Sequence, residues 1–144
     1  MAAGALVAFA LLRLGEETPE RAIYGLAHDV EHAEVEGVCE RLFPARALPA
    51  ATARALGLAA GTGGMAADWD AEHRRCLREF GRNGEFATIG FEEPRVRSVS
   101  RLRVQPEHGV TAAATAVVAL DGDAPTKVEL VEFRGRWRIV FEAR

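Results

Sequence analysis

The chain has 144 residues, of which 49% are hydrophobic and 27% are charged, and this composition indicates one folded domain rather than a disordered segment. The formal net charge is −3, and no basic stripe with interleaved aromatic residues stands out, so nucleic-acid binding is not expected. No internal repeat is evident. The totals therefore set the size of the fold and leave the function open.

The N-terminus carries an apolar run over residues 2–12, followed by Arg13. The run is too short to span a bilayer, and it matches the apolar part of a signal peptide in length. Basic residues in front of it are missing, and no clean cleavage site follows. We interpret residues 1–17 as the rear of an export signal or membrane anchor plus a linker, whose true start precedes Met1. Residues 18–144 are then one extracytoplasmic domain; the alternative is a short buried helix on a cytoplasmic protein.

Two helices are predicted next. Thr18-Pro19-Glu20 is a strong helix start, with a hydroxyl N-cap, a proline at the first position and an acid in the first turn. Apolar residues at helical spacing extend this helix to Ala33. A second short helix fits Val35 to Leu42, with Pro44 just after it.

The middle of the chain is more weakly specified. Residues 45–56 are alanine-rich and predicted to be helical, and the glycine-rich residues 57–67 read as a flexible loop. Asp68 is a good N-cap for a further helix, which Gly81 would end.

From about residue 95 the apolar residues alternate, which is typical of strands. Four strands are predicted at 96–104, 110–120, 128–133 and 137–141, with turns at 106–109, 121–123 and 134–135. Helices followed by antiparallel strands indicate an α+β fold, with the helices packed on one face of a curved antiparallel sheet in the order α-α-α-β-β-β-β.

The last hairpin has a self-consistent register if Arg134-Gly135 forms a two-residue loop. The expected partners are Phe133 with Arg136, Leu130 with Ile139, Val128 with Phe141 and Lys127 with Glu142. Glu132 then falls on the apolar face, opposite Trp137. Glu132 either points into the core, or the loop is longer than two residues and moves Glu132 to the rim with water or an arginine partner.

The chain resembles a known family at two places. One is the ending Gly-x-Trp-Arg-Ile at residues 135–139, and the other is the stretch from Asp29 to Cys39 that continues to Leu42-Phe43-Pro44. Both are similar to the nuclear transport factor two-like (cystatin-like cone) superfamily, and more narrowly to small exported actinobacterial members. This resemblance implies a cone whose open end is a ligand pocket. The pocket would be lined by Trp69, Phe86, Phe91, Trp137 and Phe141.

The superfamily includes isomerases, cyclases, dehydratases and epoxide hydrolases, besides many members that are not enzymes. Its isomerase uses a tyrosine in the first helix, near where Ala27 stands here, and an aspartate soon after the second helix. The only tyrosine, Tyr24, stands one turn too early, and residues 44–67 contain no acid. The resemblance therefore does not carry a catalytic base into this chain. The alternative is an isomerase, cyclase or hydrolase that uses Glu132 with His73 or Tyr24.

Cys39 and Cys76 each lie on an apolar face of a predicted helix. In an exported protein of this size, a pair of cysteines most simply forms one disulfide. The alternative is two separate buried thiols.

No cofactor or metal is predicted. His28 and His32 are spaced like a pair of metal ligands, but no third ligand is marked by spacing, and they read as part of a solvated helix face. The leading hypothesis is a non-catalytic extracytoplasmic domain that binds a small apolar ligand or a protein partner. A homodimer or partner surface on the sheet, formed by Val131, Phe133 and Val140, is compatible with it.

Overall fold

The computed structural model describes residues 17–58, 66–83, 93–120 and 124–141. Its helices are α1 (Pro19–Glu31), α2 (Val35–Glu40), a 3-10 helix (Ala45–Ala47), α3 (Ala50–Ala55) and α4 (Ala66–Asn83). Its strands are β1 (Leu42–Pro44), β2 (Arg95–Leu102), β3 (Val110–Ala119), β4 (Thr126–Phe133) and β5 (Arg136–Phe141). The predictions made for residues 1–16, most of the 57–67 loop, Phe86, Phe91, residues 121–123 and Glu142 lie outside the described residues.

The strands form one five-stranded sheet in the order β1-β5-β4-β3-β2. β1 runs parallel to β5, and the other neighbouring pairs are antiparallel. The α+β prediction is confirmed, but the sheet is mixed and has one strand more than expected. Leu42, predicted to end the second helix, instead pairs with Ile139. Pro44 drives only Phe43, the residue before it, to extended conformations, and Leu42 joins the strand through pairing with β5, where the N–H of Ile139 donates to the carbonyl oxygen of Arg41 at 2.7 Å.

The ends of the helices differ from the prediction by a few residues. Thr18 is the N-cap of α1 as expected, and its hydroxyl accepts a hydrogen bond from the main-chain N–H of Arg21 at 3.2 Å. α1 ends at Glu31 rather than at Ala33, which has a positive φ of 53°. α4 begins before the predicted cap Asp68 and continues past Gly81 to Asn83.

The last hairpin has the predicted register. Arg134 and Gly135 have φ angles of 51° and 75°, the combination of a type I′ turn. Leu130 pairs with Ile139, and Glu132 pairs with Trp137.

Both faces of the sheet are covered, so the prediction that the helices pack on one face was wrong. The first face packs under α1 and α2 and carries Leu130, Trp137 and Ile139. The second face packs under residues 43–58 and Trp69. Val131, Phe133 and Val140 belong to this second face and are buried, so the prediction that they form an exposed partner surface was wrong. The segment after α2 folds back over them, and homodimerisation by another surface stays a prediction.

The expected disulfide is present. Cys39 of α2 is bonded to Cys76 of α4, and their Cα atoms are 5.8 Å apart. An oxidised pair is compatible with an extracytoplasmic location. In the part of the chain that the structure describes, no helix is long and apolar enough to cross a membrane.

Candidate binding site

Glu132 lies where β3 and β4 meet, at the end of the sheet nearest the last hairpin. Its side chain lies on the same face of the sheet as that of Leu130 and is half-buried. Glu132 pairs with Ala112 of β3. Its carboxylate Oε1 accepts a hydrogen bond from the hydroxyl of Thr111 at 2.8 Å. The carboxylate therefore lies at the rim of the sheet with a neutral partner, rather than inside the core or against an arginine.

A β-bulge places Thr111 beside this carboxylate. The register of β3 against β4 shifts between Val110 and Ala112, which leaves Thr111 without a partner on β4. Bulges redirect side chains and bend the strand. Here the bulge turns the Thr111 hydroxyl toward Glu132.

An open groove of about 430 Å³ begins at the same point. It forms because β2 stops pairing with β3 at Leu102, so the following residues diverge from the start of β3. Its walls combine three apolar side chains with a cation, an amide and a hydroxyl: Leu102, Val104, Ala112, Arg103, Gln105 and Thr111.

Arg101 adds a second cation next to the groove. It pairs with Ala114 and therefore faces the same side of the sheet as Leu130 and Ile139. Its guanidinium carbon lies 5.4 Å from the centre of the Trp137 ring, which is a cation–π distance. Trp137 is only 1% exposed, so the arginine covers the edge of the core.

The structure separates the described members of the predicted aromatic pocket. Trp137 belongs to the core under α1, whereas Trp69 belongs to the core on the other face of the sheet. Phe141 is half-buried and lines a small cavity together with Trp69, but that cavity has only about 10 Å³ of free volume. Such a space holds about one water molecule. Trp69 and Trp137 therefore do not line a common pocket.

His73 lies in α4 against that small cavity. Its ring stacks on Trp69, with centroids 4.8 Å apart, and Nε2 is 3.6 Å from a carboxylate oxygen of Glu40. Nδ1 is buried and has no hydrogen-bond partner among the described residues. One water molecule in the cavity would supply the missing partner.

The three candidate catalytic residues do not converge. Glu132 faces the side of Trp137, whereas His73 stacks on Trp69 beneath the opposite side. The hydroxyl of Tyr24 accepts a hydrogen bond from the N–H of Val96 at 3.1 Å, at the far end of β2. Val96 pairs with Val118, and Glu132 with Ala112, so the two points are about 20 Å apart along β3. No shared general acid and base forms from this set.

The end of α1 and the turn that follows it carry a cluster of possible metal ligands. His28, Asp29 and Glu34 offer ligand atoms within 4.8 Å of one another. However, the Asp29 carboxylate accepts a hydrogen bond from Arg41 Nε at 3.0 Å, and His28 is exposed. His32 Nδ1 donates a hydrogen bond to the main-chain carbonyl oxygen of His28 at 2.9 Å. The arginine already neutralises the carboxylate that a cation would need.

Sequence reasoning missed Arg138, the most buried charged residue of the described chain at 3% exposure. Its guanidinium lies 4.4 Å from the centre of the Trp69 ring and 3.3 Å from a Glu40 carboxylate oxygen. Burial lowers the pKa of Arg138, and the hydrogen bond to Glu40 opposes that shift. The available signal was a single arginine inside the apolar run from Trp137 to Phe141.

Comparisons with known proteins give no match: no family model, no curated protein and no solved structure matches the chain.

Proposed function

We propose that the chain is a non-catalytic, extracytoplasmic binding domain of the nuclear transport factor two-like type. Its ligand is a small apolar molecule with an anionic group, bound in the groove between residues 102–105 and 111–112. The observation that carries this proposal is the groove itself, with its apolar wall and its adjacent cations.

The size and lining of the groove support a small-molecule site. Ligand sites occupy roughly 300–1,000 Å³ and combine apolar walls with a few polar groups, and the groove has about 430 Å³. Leu102, Val104 and Ala112 would contact the apolar body of the ligand. Arg103 would pair with its anionic group, because an exposed guanidinium is a strong donor to carboxylates, sulfonates and phosphates.

The proposed extracytoplasmic location of the protein is supported by two further features. The Cys39–Cys76 disulfide is typical of oxidising compartments. The apolar residues 2–12 read as part of an export signal or anchor.

The proposal is tested with two fluorescent probes, the anionic anilinonaphthalene sulfonate and its neutral relative phenylnaphthylamine. Gln105 is exposed and lines the groove, so Gln105→Trp fills the groove with little effect on folding. Ala51→Trp, at an exposed position of α3, is the matched control. We expect Gln105→Trp to weaken the binding of both probes about tenfold, and Ala51→Trp to change neither.

A second variant tests the role of the charge. Arg103→Gln should weaken binding of the anionic probe but not of the neutral one, whereas Arg74→Gln on α4 should change neither. If each probe binds Gln105→Trp as tightly as it binds the wild-type protein, the probes bind outside the groove and the proposal is overturned.

A further inference from the structure

β2 is an edge strand with a marked concentration of positive charge. Among the described residues it pairs with β3 alone. The stretch from Arg95 to Gln105 contains four arginines and no acid. All four are exposed: Arg95, Arg97, Arg101 and Arg103. This local charge contrasts with the whole chain, whose net charge is −3.

The outer edge of β2 is a row of main-chain donors and acceptors. Alternate residues of an edge strand direct their N–H and C=O groups away from the sheet. A bulge at Arg97 interrupts this alternation, so the regular part of the edge runs from Ser98 to Leu102. The eight residues of β2 span about 27 Å. In the described chain, the Tyr24 hydroxyl occupies one of these groups, the N–H of Val96, at one end of the strand.

We propose that β2 binds an extended acidic segment of another protein by strand addition. The main chain of the segment would pair with the edge that the described residues leave open, and its acidic side chains would pair with the arginines. Charge favours an acidic partner over a second copy of this chain. In a pair of copies, the four arginines of one β2 segment would lie against the four arginines of the other and repel them. The strand shares Leu102 with the small-molecule groove, and Arg103 follows it, so the charge reversals that test the inference are placed at Arg95 and Arg97, which do not line the groove.

The test measures the affinity of the full chain for a fluorescent peptide of alternating glutamate and valine. A peptide with alternate N-methylated residues keeps the charge but cannot pair along its backbone. The third measurement is the binding of the full chain to anionic phospholipid vesicles. Strand addition predicts that the unmodified peptide binds and that N-methylation weakens binding about tenfold or more.

A matched pair of charge reversals locates the site. Arg95→Glu/Arg97→Glu changes the edge strand, and Arg74→Glu/Arg78→Glu makes the same net change on exposed positions of α4. We expect the first double variant to weaken peptide binding about tenfold and the second to change it less than about twofold. Amide hydrogen exchange should slow at residues 96–102 when the peptide is bound.

Three results would overturn the inference. Equal losses in both double variants would indicate a general charge effect. Equal affinity for the N-methylated peptide would exclude backbone pairing. Binding to the vesicles without binding to the peptide would make the strand a membrane-surface contact. Near-ultraviolet circular dichroism of each variant confirms that it is folded.

Discussion

The guanidinium of Arg138 donates a hydrogen bond to the main-chain carbonyl oxygen of Glu40, and this bond joins the last strand to the end of α2. Arg138 Nε also donates to the carbonyl oxygen of Phe133 at 3.1 Å. The last carbonyl groups of a helix lack partners within the helix. One buried side chain therefore supplies donors to the end of α2 and to the last residue of β4.

Replacing Arg138 with methionine should lower the free energy of unfolding by about 2–3 kcal/mol, because buried carbonyl groups lose their donor. Arg136→Met, at an exposed position of the same strand, is the control and should change it by less than about 0.5 kcal/mol. Urea denaturation of the oxidised protein measures both. Similar stability of the two variants would show that the hydrogen bonds of Arg138 contribute little.

The disulfide should be a major source of stability. It links residues 37 positions apart, and by the chain-entropy model the closed loop contributes about 4 kcal/mol. Cys39→Ala/Cys76→Ala should therefore lower the free energy of unfolding by about that amount. A reducing agent should destabilise the wild type to the same degree and leave the double variant unchanged. Detection of reactive thiols in denatured, unreduced protein would contradict the bond.

Much of the fold could be predicted from local sequence patterns. The helix start at Thr18 and the hairpin turn at Arg134-Gly135 follow from side-chain capping and from the positive φ angles that the turn requires. Strand β1 was not readable, because a three-residue strand has no periodicity of its own and depends on pairing with β5. Burial of the second sheet face could not be predicted either, because it depends on the tertiary packing of residues 43–58 against that face.

The candidate site was predicted only in part. The hairpin register correctly placed Glu132 opposite Trp137. Its partner Thr111 depends on a bulge in β3, and the groove depends on where β2 leaves β3. Neither the bulge in β3 nor the point where β2 stops pairing with β3 is indicated by a residue pattern in the sequence. Arg101 and Arg103 were read only as parts of a strand, because an edge position follows from the strand order and not from the strand itself.

Gly37 should be intolerant of a side chain. A Cβ atom at this position would overlap the Asp29 carboxylate, whose Cγ would be 2.7 Å away. That carboxylate is buried and bonded to Arg41, so it has no room to move. Alanine gains about 1 kcal/mol over glycine in a helix, but overpacking costs about 1–3 kcal/mol. We expect Gly37→Ala to have a net destabilising effect of about 1 kcal/mol, measured by thermal unfolding.

A neighbouring glycine gives the control for that prediction. A Cβ atom at Gly25 would instead meet the guanidinium of Arg41, the far end of a long side chain that is one-quarter exposed and also pairs with Glu17. Gly25→Ala should therefore be less destabilising than Gly37→Ala. An increase in stability in Gly37→Ala would show that the Asp29 carboxylate moves freely.

The ion pair between Asp70 and Arg134 should make stability depend on pH in the acid range. Arg134 donates two hydrogen bonds to the Asp70 carboxylate, at 2.8 and 3.1 Å, and these hold the pKa of Asp70 below its ordinary value. Because the folded-state pKa is the lower one, this stabilisation is complete above the ordinary aspartate pKa of about 3.9 and is lost as pH falls through the folded-state pKa. Both side chains are more than two-fifths exposed, so solvent screening limits the contribution to about 0–1 kcal/mol.

Asp70→Asn tests this dependence without disturbing Arg134, which also lies 5.1 Å from the centre of the Trp69 ring. The difference in unfolding free energy between wild type and variant should be largest near neutral pH and shrink below about pH 4. It should also shrink in concentrated salt, because the pair is exposed. The matched control is Glu79→Gln, which removes the exposed i,i+4 pair with Arg75 on the same helix. A difference for Asp70→Asn that stays constant from neutral to acid pH would mean that the ion pair does not stabilise the folded state.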